Sequence, residues 1–123
     1  MNIGKVFLVP FPWDDFSSLK VRPTLCLSEP VGEHRQMVVA YIGSKIPEEL
    51  LESDIVLKID EPGLAASGLH KTSVIRVHRL MTVTAESVQR EIGRLPISHL
   101  TEVKGKLKDL FRLDSNSSGN GRR

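Results

Sequence analysis

The sequence predicts a small, mostly β domain with one helix at its C-terminal end. Short apolar segments bounded by Pro and Gly recur along most of the chain, a pattern typical of strands. From Ser98 onward, apolar residues instead recur at spacings of three and four, which favours an amphipathic helix. The 123 residues fit a single domain, which we place at 1–113, and we expect the polar segment 114–123 to be a disordered tail.

Five segments are predicted as strands from their apolar character and their flanking turns. The first, at 3–11, is apolar at nearly every position, as expected of a strand that is covered on both faces. The others lie at 24–28, 36–43, 55–59 and 73–83. Segment 88–95 fits a helix as well as a short strand, and its pattern leaves both assignments open.

The predicted helix begins with Ser98 as its N-cap, because a serine hydroxyl can accept a hydrogen bond from the first helical turn. Its apolar face consists of Leu100, Val103, Leu107, Leu110 and Phe111. Gly105 lies inside the helix and costs about 1 kcal/mol relative to alanine, which is too little to overturn the periodicity.

Composition limits the function classes. The formal net charge of +2 is too small to indicate a strongly basic protein, although basic residues that flank the predicted strands can still form a basic face on the folded sheet. The single cysteine, Cys26, lies in an apolar segment and predicts a buried side chain rather than a disulfide. The chain has neither an apolar run of about 18 residues nor a signal-peptide pattern, so we expect a soluble, cytoplasmic protein.

An arginine followed by a proline closes the polar loop after the first predicted strand. Pro23 restricts the backbone of Arg22 to an extended conformation, which places a guanidinium at the base of this loop. A fixed, forked donor of this kind suits a phosphate group. The competing interpretation is a surface arginine that pairs with Asp14 or Asp15.

Four blocks of residues occur in an order that resembles a known family. They are Gly4-Lys5-Val6 with Val9-Pro10-Phe11-Pro12, Lys20, Arg22-Pro23 and Leu27-Ser28; Ile42-Gly43-Ser44-Lys45; Ser67-Gly68-Leu69 with Ser73-Val74-Ile75-Arg76; and Ile92-Gly93-Arg94-Leu95. Together they resemble the MazF/PemK family of type II toxin-antitoxin endoribonucleases over most of the chain, roughly from Gly4 to Leu113.

The resemblance implies an SH3-like bent barrel of the PemK/CcdB type, with a C-terminal helix, assembled as a homodimer. It also implies metal-independent cleavage of single-stranded RNA without a cofactor, leaving a 2′,3′-cyclic phosphate and a 5′-hydroxyl. A cognate antitoxin protein would block the RNA groove, and no membrane is involved. The residues themselves agree with a metal-free reaction, since His34, His70 and His99 show no spacing typical of metal ligands.

Four residues are candidates for catalysis. Arg22 would stabilise the charge that grows on the nonbridging phosphate oxygens. Ser44 and Arg76 would add phosphate contacts, with an ordinary turn serine and a strand arginine as alternatives. His78, on the same predicted strand face as Arg76, is the candidate proton acceptor, and a solvent-facing histidine is its alternative. The chain departs from the family at two places, with Gly43 where the family usually has Thr and His78 where it often has Asp.

Four further residues are candidates for RNA binding, two by charge and two by stacking on bases: Lys20, Lys45, Trp13 and Phe16. Loop aromatics that anchor the loop or contact a second subunit are an equal alternative for the last two. Two other functions stay open, namely a CcdB-like gyrase inhibitor and a degenerate family member that binds RNA or antitoxin without cleaving. The two candidate phosphate-binding arginines favour the nuclease, because a gyrase inhibitor needs no phosphate cluster.

Overall fold

A computed structural model describes residues 1–12 and 19–113, and within them six antiparallel strands form one bent sheet, a half-barrel, followed by a helix. The strands are β1 Lys5–Pro12, β2 Leu19–Cys26, β3 Gln36–Gly43, β4 Asp54–Leu57, β5 Ser73–Thr84 and β6 Arg90–Arg94, and the helix is α1 Ile97–Phe111. Their order across the sheet is β4-β5-β3-β2-β1-β6. The predicted fold class is confirmed, whereas the predicted tail at 114–123 lies outside the described residues.

The structure corrects two element boundaries and settles the open segment. Strand β2 begins at Leu19 rather than at Thr24, so Arg22 lies inside a strand and not at the base of a loop. Segment 88–95 contains a strand, β6. The helix begins at Ile97 after Pro96, without a side-chain cap, so the prediction of Ser98 as N-cap is wrong. The fixed backbone angle of a proline explains this start, since it suits the residue that leads into a helix.

Proline is tolerated at position 23 because β2 is hydrogen-bonded to only one neighbouring strand there. Strand β2 pairs with β1 from Leu25 to Leu19, but its ladder with β3 ends at Thr24. Pro23 therefore lies where β2 has one hydrogen-bonded neighbour, and a missing N–H there interrupts no second ladder.

Alternate residues of the central strands contribute to two separate apolar layers. The first, the helix face, packs against α1 and includes Val6, Leu25, Ile42, Ile75, Val77 and Val103. The second, the arginine face, is the opposite side of the sheet and includes Phe7, Val9, Phe11, Cys26, Val39 and Tyr41. This arrangement explains why β1 is apolar at nearly every position, as predicted for a strand covered on both faces.

Strand β5 contains an irregularity that determines which of its polar residues meet. The register with β3 passes from Ala40 opposite Leu80 to Tyr41 opposite Arg76, so three residues of β5 have no partner across this step. The N–H of Val77 donates instead to the carbonyl of Ser53, at 3.0 Å. Simple alternation along β5 is therefore lost between Arg76 and Leu80.

No helix among the described residues is long and apolar enough to cross a membrane. The loop residues Trp13 and Phe16 lie outside the described ranges.

Candidate active site

Arg22 lies on the arginine face of the sheet. In β2 it is directly opposite Val9 of β1, which is fully buried. The Nε atom of Arg22 is itself buried and has no hydrogen-bond partner within the described part of the chain. A buried N–H donor without a partner costs about 1–3 kcal/mol, and such atoms are rare in folded proteins. A guanidinium in this condition is a donor that an anionic ligand would satisfy.

Two aromatic rings meet over the strand that carries Arg22. Phe11 of β1 and Tyr41 of β3 have ring centroids 5.2 Å apart at an interplanar angle of 54°. Because β2 lies between β1 and β3, these rings approach each other above β2 on the arginine face. The guanidinium carbon of Arg79 lies 6.0 Å from the Phe11 ring centroid and 5.2 Å from that of Tyr41. The arginine face thus brings together two guanidinium groups and two rings, and cation–π attraction holds Arg79 at this place.

Tyr41 extends along its own strand over Gly43. A Cβ atom built on Gly43 would lie 2.7 Å from Cε2 of Tyr41 and 2.8 Å from its hydroxyl oxygen, closer than real Cβ contacts allow. Thr24 of β2 is opposite Tyr41, Lys20 of β2 is opposite Phe11, and Arg22 lies between these two positions on the same strand face. The absence of a side chain at position 43 therefore leaves room for the Tyr41 phenol, and the Phe11 and Tyr41 rings flank the strand position of Arg22.

Arg76, the second predicted phosphate-binding arginine, has a partner inside the protein. Its Nε donates to Oδ1 of Asp54 at 2.9 Å, and its Nη2 donates to Oδ2 at 3.2 Å. The Asp54 side chain is fully buried and also accepts the N–H of Leu51, at 2.8 Å. This forked pair satisfies both charges, and it leaves the Arg76 guanidinium with less capacity for an external anion than Arg22 has.

His78 has a hydrogen-bond partner that the sequence does not predict. Its Nδ1 forms a hydrogen bond with Oγ of Ser53 at 2.7 Å. Burial lowers the pKa of His78 below the ordinary histidine value, and the charge of Arg76 lowers it further, against a smaller opposing effect from Asp54. The imidazole is thus neutral at pH 7, which is the form that a proton acceptor needs.

Ser44 lines a cavity that does not include Arg22. The cavity has a volume of about 500 Å³, and its lining includes Leu8, Pro23, Ser44, His70, Lys71 and Arg90. Pro23 follows Arg22 in an extended strand, so the two side chains point to opposite sides of the sheet. The structure therefore separates Ser44 from Arg22, although it leaves Ser44 exposed at the end of β3.

The remaining candidates differ in what the structure describes. Lys20 and Lys45 are exposed, and Lys20 shares the strand face of Arg22. Trp13 and Phe16 lie outside the described residues. The predicted burial of Cys26 is confirmed, and burial raises the pKa of its thiol. Within residues 1–12 and 19–113, no group of three or more His, Cys, Asp or Glu side chains is arranged to hold a metal ion.

Sequence reasoning did not identify Tyr41 and Arg79 as members of this site. Tyr41 reads as one more apolar residue of a strand, and Arg79 follows His78 without a motif of its own. The available signal is the glycine two residues after Tyr41, because residues at that spacing share a strand face and a glycine leaves space for a large neighbour.

Comparisons with known proteins agree with this architecture. A family model described as PemK-like, MazF-like toxin of type II toxin-antitoxin system matches residues 2–111. No curated protein sequence matches the chain significantly. Among solved structures, the Mycobacterium tuberculosis toxin MazF-mt6 is 21% identical, with a TM-score of 0.68 over 89% of this chain and 98% of that one.

Two further solved structures contain a second protein. MazE-MazF (Form-II) from Deinococcus radiodurans is 21% identical, with a TM-score of 0.66, and the match covers 92% of this chain and 96% of that one. An endoribonuclease in complex with its cognate antitoxin, from a mycobacterial species, is 11% identical, with a TM-score of 0.64 over 90% and 94% of the two chains. At these identities the structural likeness establishes the fold.

Proposed function

The chain belongs to the PemK-like, MazF-like toxin family of type II toxin-antitoxin systems, and from this premise we propose that it is a metal-independent endoribonuclease that cleaves single-stranded RNA. The observation that carries the proposal is the buried, unpartnered Nε of Arg22 within the described residues. Solved structures of similar fold include proteins named as endoribonucleases, which supports the same reaction class.

In the proposed reaction the ribose 2′-oxygen of the substrate attacks the adjacent phosphorus. The bond between phosphorus and the 5′-oxygen breaks, the 2′-hydroxyl loses its proton, and the 5′-oxygen gains one. The products are a 2′,3′-cyclic phosphate and a 5′-hydroxyl. Negative charge grows on the nonbridging oxygens in the transition state, and Arg22 donates to them from a fixed strand position. Its guanidinium keeps its charge throughout and is unsuited to act as a base.

The other candidates have roles that remain predictions. His78 is proposed as the acceptor of the 2′-hydroxyl proton, because its imidazole is neutral at pH 7. Ser44 is proposed to donate to the phosphate from the end of β3, and Arg76 to contribute positive potential to the groove. Exposed Lys20 and Lys45 would attract the RNA backbone. Base stacking by Trp13 and Phe16 completes the proposed set of RNA contacts.

The proposed partners follow from the family and from the exposed surface. A cognate antitoxin protein would bind the toxin, as in the mycobacterial complex of similar fold. A second copy of this chain would form a homodimer and cover apolar side chains at the end of α1, where Leu110 and Phe111 are 40% and 54% exposed. Sedimentation at twice the 13.7 kDa chain mass would show the dimer. We place the protein in the cytoplasm, where its RNA substrate is found.

Primer extension on a long single-stranded RNA tests the function directly. Purified protein is incubated with the RNA in excess EDTA, and we expect discrete cleavage sites whose downstream fragments carry a 5′-hydroxyl. Cleavage that needs an added divalent metal would contradict the mechanism. Intact RNA together with inhibition of gyrase supercoiling would instead favour the CcdB-like alternative, and intact RNA that the protein still retains on a filter would favour a degenerate RNA-binding member.

A further inference from the structure

The phenol of Tyr41 lies at the position where a side chain on residue 43 would begin. Its hydroxyl oxygen is 2.8 Å from the Cβ atom that any other residue would place there, and all three of the nearest atoms to that Cβ belong to Tyr41. The backbone of Gly43 does not have a positive φ, so its conformation is open to residues with a side chain. What keeps this position a glycine is therefore the space that the Tyr41 ring occupies.

From this geometry we propose that Tyr41 is a further catalytic residue, whose hydroxyl donates a hydrogen bond to the scissile phosphate alongside Arg22. The inference rests on the proposed endoribonuclease function. The proposed role is hydrogen-bond donation without proton transfer, so the proton balance of the reaction is unchanged. The hydroxyl would stabilise the same nonbridging oxygens that Arg22 contacts, because Arg22 is opposite Val9 in β1, and Val9 and Tyr41 belong to the same side of the sheet.

The surroundings of the ring suit a donor whose position is fixed. Tyr41 is 5% exposed, and its ring packs against Phe11 on one side while the Arg79 guanidinium lies over it. A donor held by packing needs no reorganisation when charge develops, and its hydrogen bond is stronger where water is excluded. Only the hydroxyl has to meet the phosphate, and it lies over Gly43, the last residue of β3.

Gly43 also explains how the chain departs from the family pattern. The hydroxyl that the pattern places on residue 43 is absent, while the Tyr41 hydroxyl reaches the same location from two residues earlier in the strand. The side chains of residues 41 and 43 would therefore compete for the same space. A side chain at 43 would displace the Tyr41 ring from its observed position.

The primary test is Tyr41→Phe, which keeps the ring and removes the hydroxyl. We expect kcat for cleavage of a short RNA substrate to fall about 10²-fold, the scale of one lost transition-state donor, with little change in KM. Thr82→Val is a matched control, because it removes an exposed hydroxyl from the same sheet at residue 82, across from Val38 and away from Gly43. It should cleave at the wild-type rate.

A second pair of variants tests the shared volume. Gly43→Ala should displace the ring and lower kcat, whereas Gly105→Ala should not, because the added Cβ meets no neighbouring group outside its own stretch of helix within 4 Å. In a Tyr41→Ala background, Gly43→Thr should recover at least about 10-fold of the lost rate, because the threonine hydroxyl enters the vacated space.

The outcomes separate this inference from the function on which it rests. Wild-type protein that leaves RNA intact would overturn both. Wild-type cleavage with an unchanged Tyr41→Phe rate, or with a loss confined to KM, would overturn the role of Tyr41 and leave the endoribonuclease in place. If Tyr41→Ala does not fold, the Tyr41→Phe measurement still decides.

Discussion

Two arginines of one sheet, Arg76 and Arg22, differ in whether the protein supplies a partner for the guanidinium. Arg76 in β5 makes a forked pair with the buried carboxylate of Asp54, whereas Arg22 in β2 has a buried Nε without a partner in the described chain. Sequence alone treats the two as equivalent candidates for a phosphate contact. The structure shows that Arg76 is paired with a carboxylate of the neighbouring strand β4. Apolar and aromatic residues instead surround the strand that carries Arg22.

The difference indicates which charge the protein uses for folding and which it holds for a ligand. An ion pair with a fully buried carboxylate is needed once that carboxylate is buried, since the desolvated charge requires a partner. An unpartnered donor, by contrast, costs stability in the free protein and is repaid only when an anion binds. We therefore expect substitutions of Arg22 to affect activity and substitutions of Arg76 to affect stability first.

The largest expected effect is that of Arg22→Ala on cleavage. Loss of one fixed donor to the transition state should lower kcat by roughly 10²- to 10³-fold. Arg22→Lys should restore only part of this, because an ammonium cannot make the forked contact of a guanidinium. Rates are measured on a short RNA, and thermal unfolding should show both variants folded. Wild-type cleavage by Arg22→Ala would end the assignment of this arginine to the active site.

The next effect is that of Arg76→Ala on the free energy of unfolding. The change leaves the Asp54 carboxylate buried with the Leu51 N–H as its remaining partner, and we expect a loss of about 2–3 kcal/mol, since the Arg76 side chain is itself 22% exposed. Urea unfolding measures it. Arg90→Ala, which removes an exposed arginine from β6, is the matched control and should stay within about 0.5 kcal/mol of wild type.

If both arginine variants lose the same stability, the contrast between the two regions fails. If Arg76→Ala instead keeps full stability and loses cleavage, then Arg76 acts on RNA as the sequence-based prediction has it. Either result would show that the Asp54 pair is not what determines the use of this guanidinium.

The sequence predicts the sheet well because burial on two faces leaves a direct pattern in β1, β3 and β5. It cannot predict the Arg76–Asp54 pair, since the partners are far apart in the chain and meet only through the β4–β5 register. It also misses the irregular step in β5, which no glycine or proline marks. Strand alternation also gives no sign that the His78 Nδ1 is hydrogen-bonded to Ser53, 25 residues earlier in the chain.

The position of Tyr41 in the site is likewise not predictable from the sequence. Alternation places residues 41 and 43 on one face, but only the side-chain direction reveals that the ring lies over Gly43. The Tyr41 ring fills the space that a side chain on residue 43 would need. This is a result of packing, and the only sign of it in the sequence is the glycine itself.

The smallest expected effect concerns His78 and the pH dependence of stability. Burial and the charge of Arg76 hold its pKa below the ordinary histidine value in the folded state, while Asp54 opposes and Arg79 adds to the shift. As pH falls through about 6.5, the unfolded chain therefore binds the proton before the folded chain does. The stability that His78 contributes is present above this pH and is lost on acidification.

His78→Asn removes this titration together with the hydrogen bond to Ser53. At pH 8 the wild type should be more stable than the variant by about 1 kcal/mol, the usual contribution of one hydrogen bond. At pH 5 the difference should shrink, because only the wild type pays for a proton on residue 78. His70→Asn, at an exposed histidine, is the control for the substitution itself and should stay within about 0.5 kcal/mol of wild type at pH 8. Urea unfolding at the two pH values tests this. A His78→Asn difference in stability that does not change with pH would mean that the folded environment does not disfavour the charged imidazole.

The same lowered pKa has a consequence for catalysis if His78 is the base. The cleavage rate should then rise with pH in a range that lies below pH 6.5, because the neutral imidazole forms there.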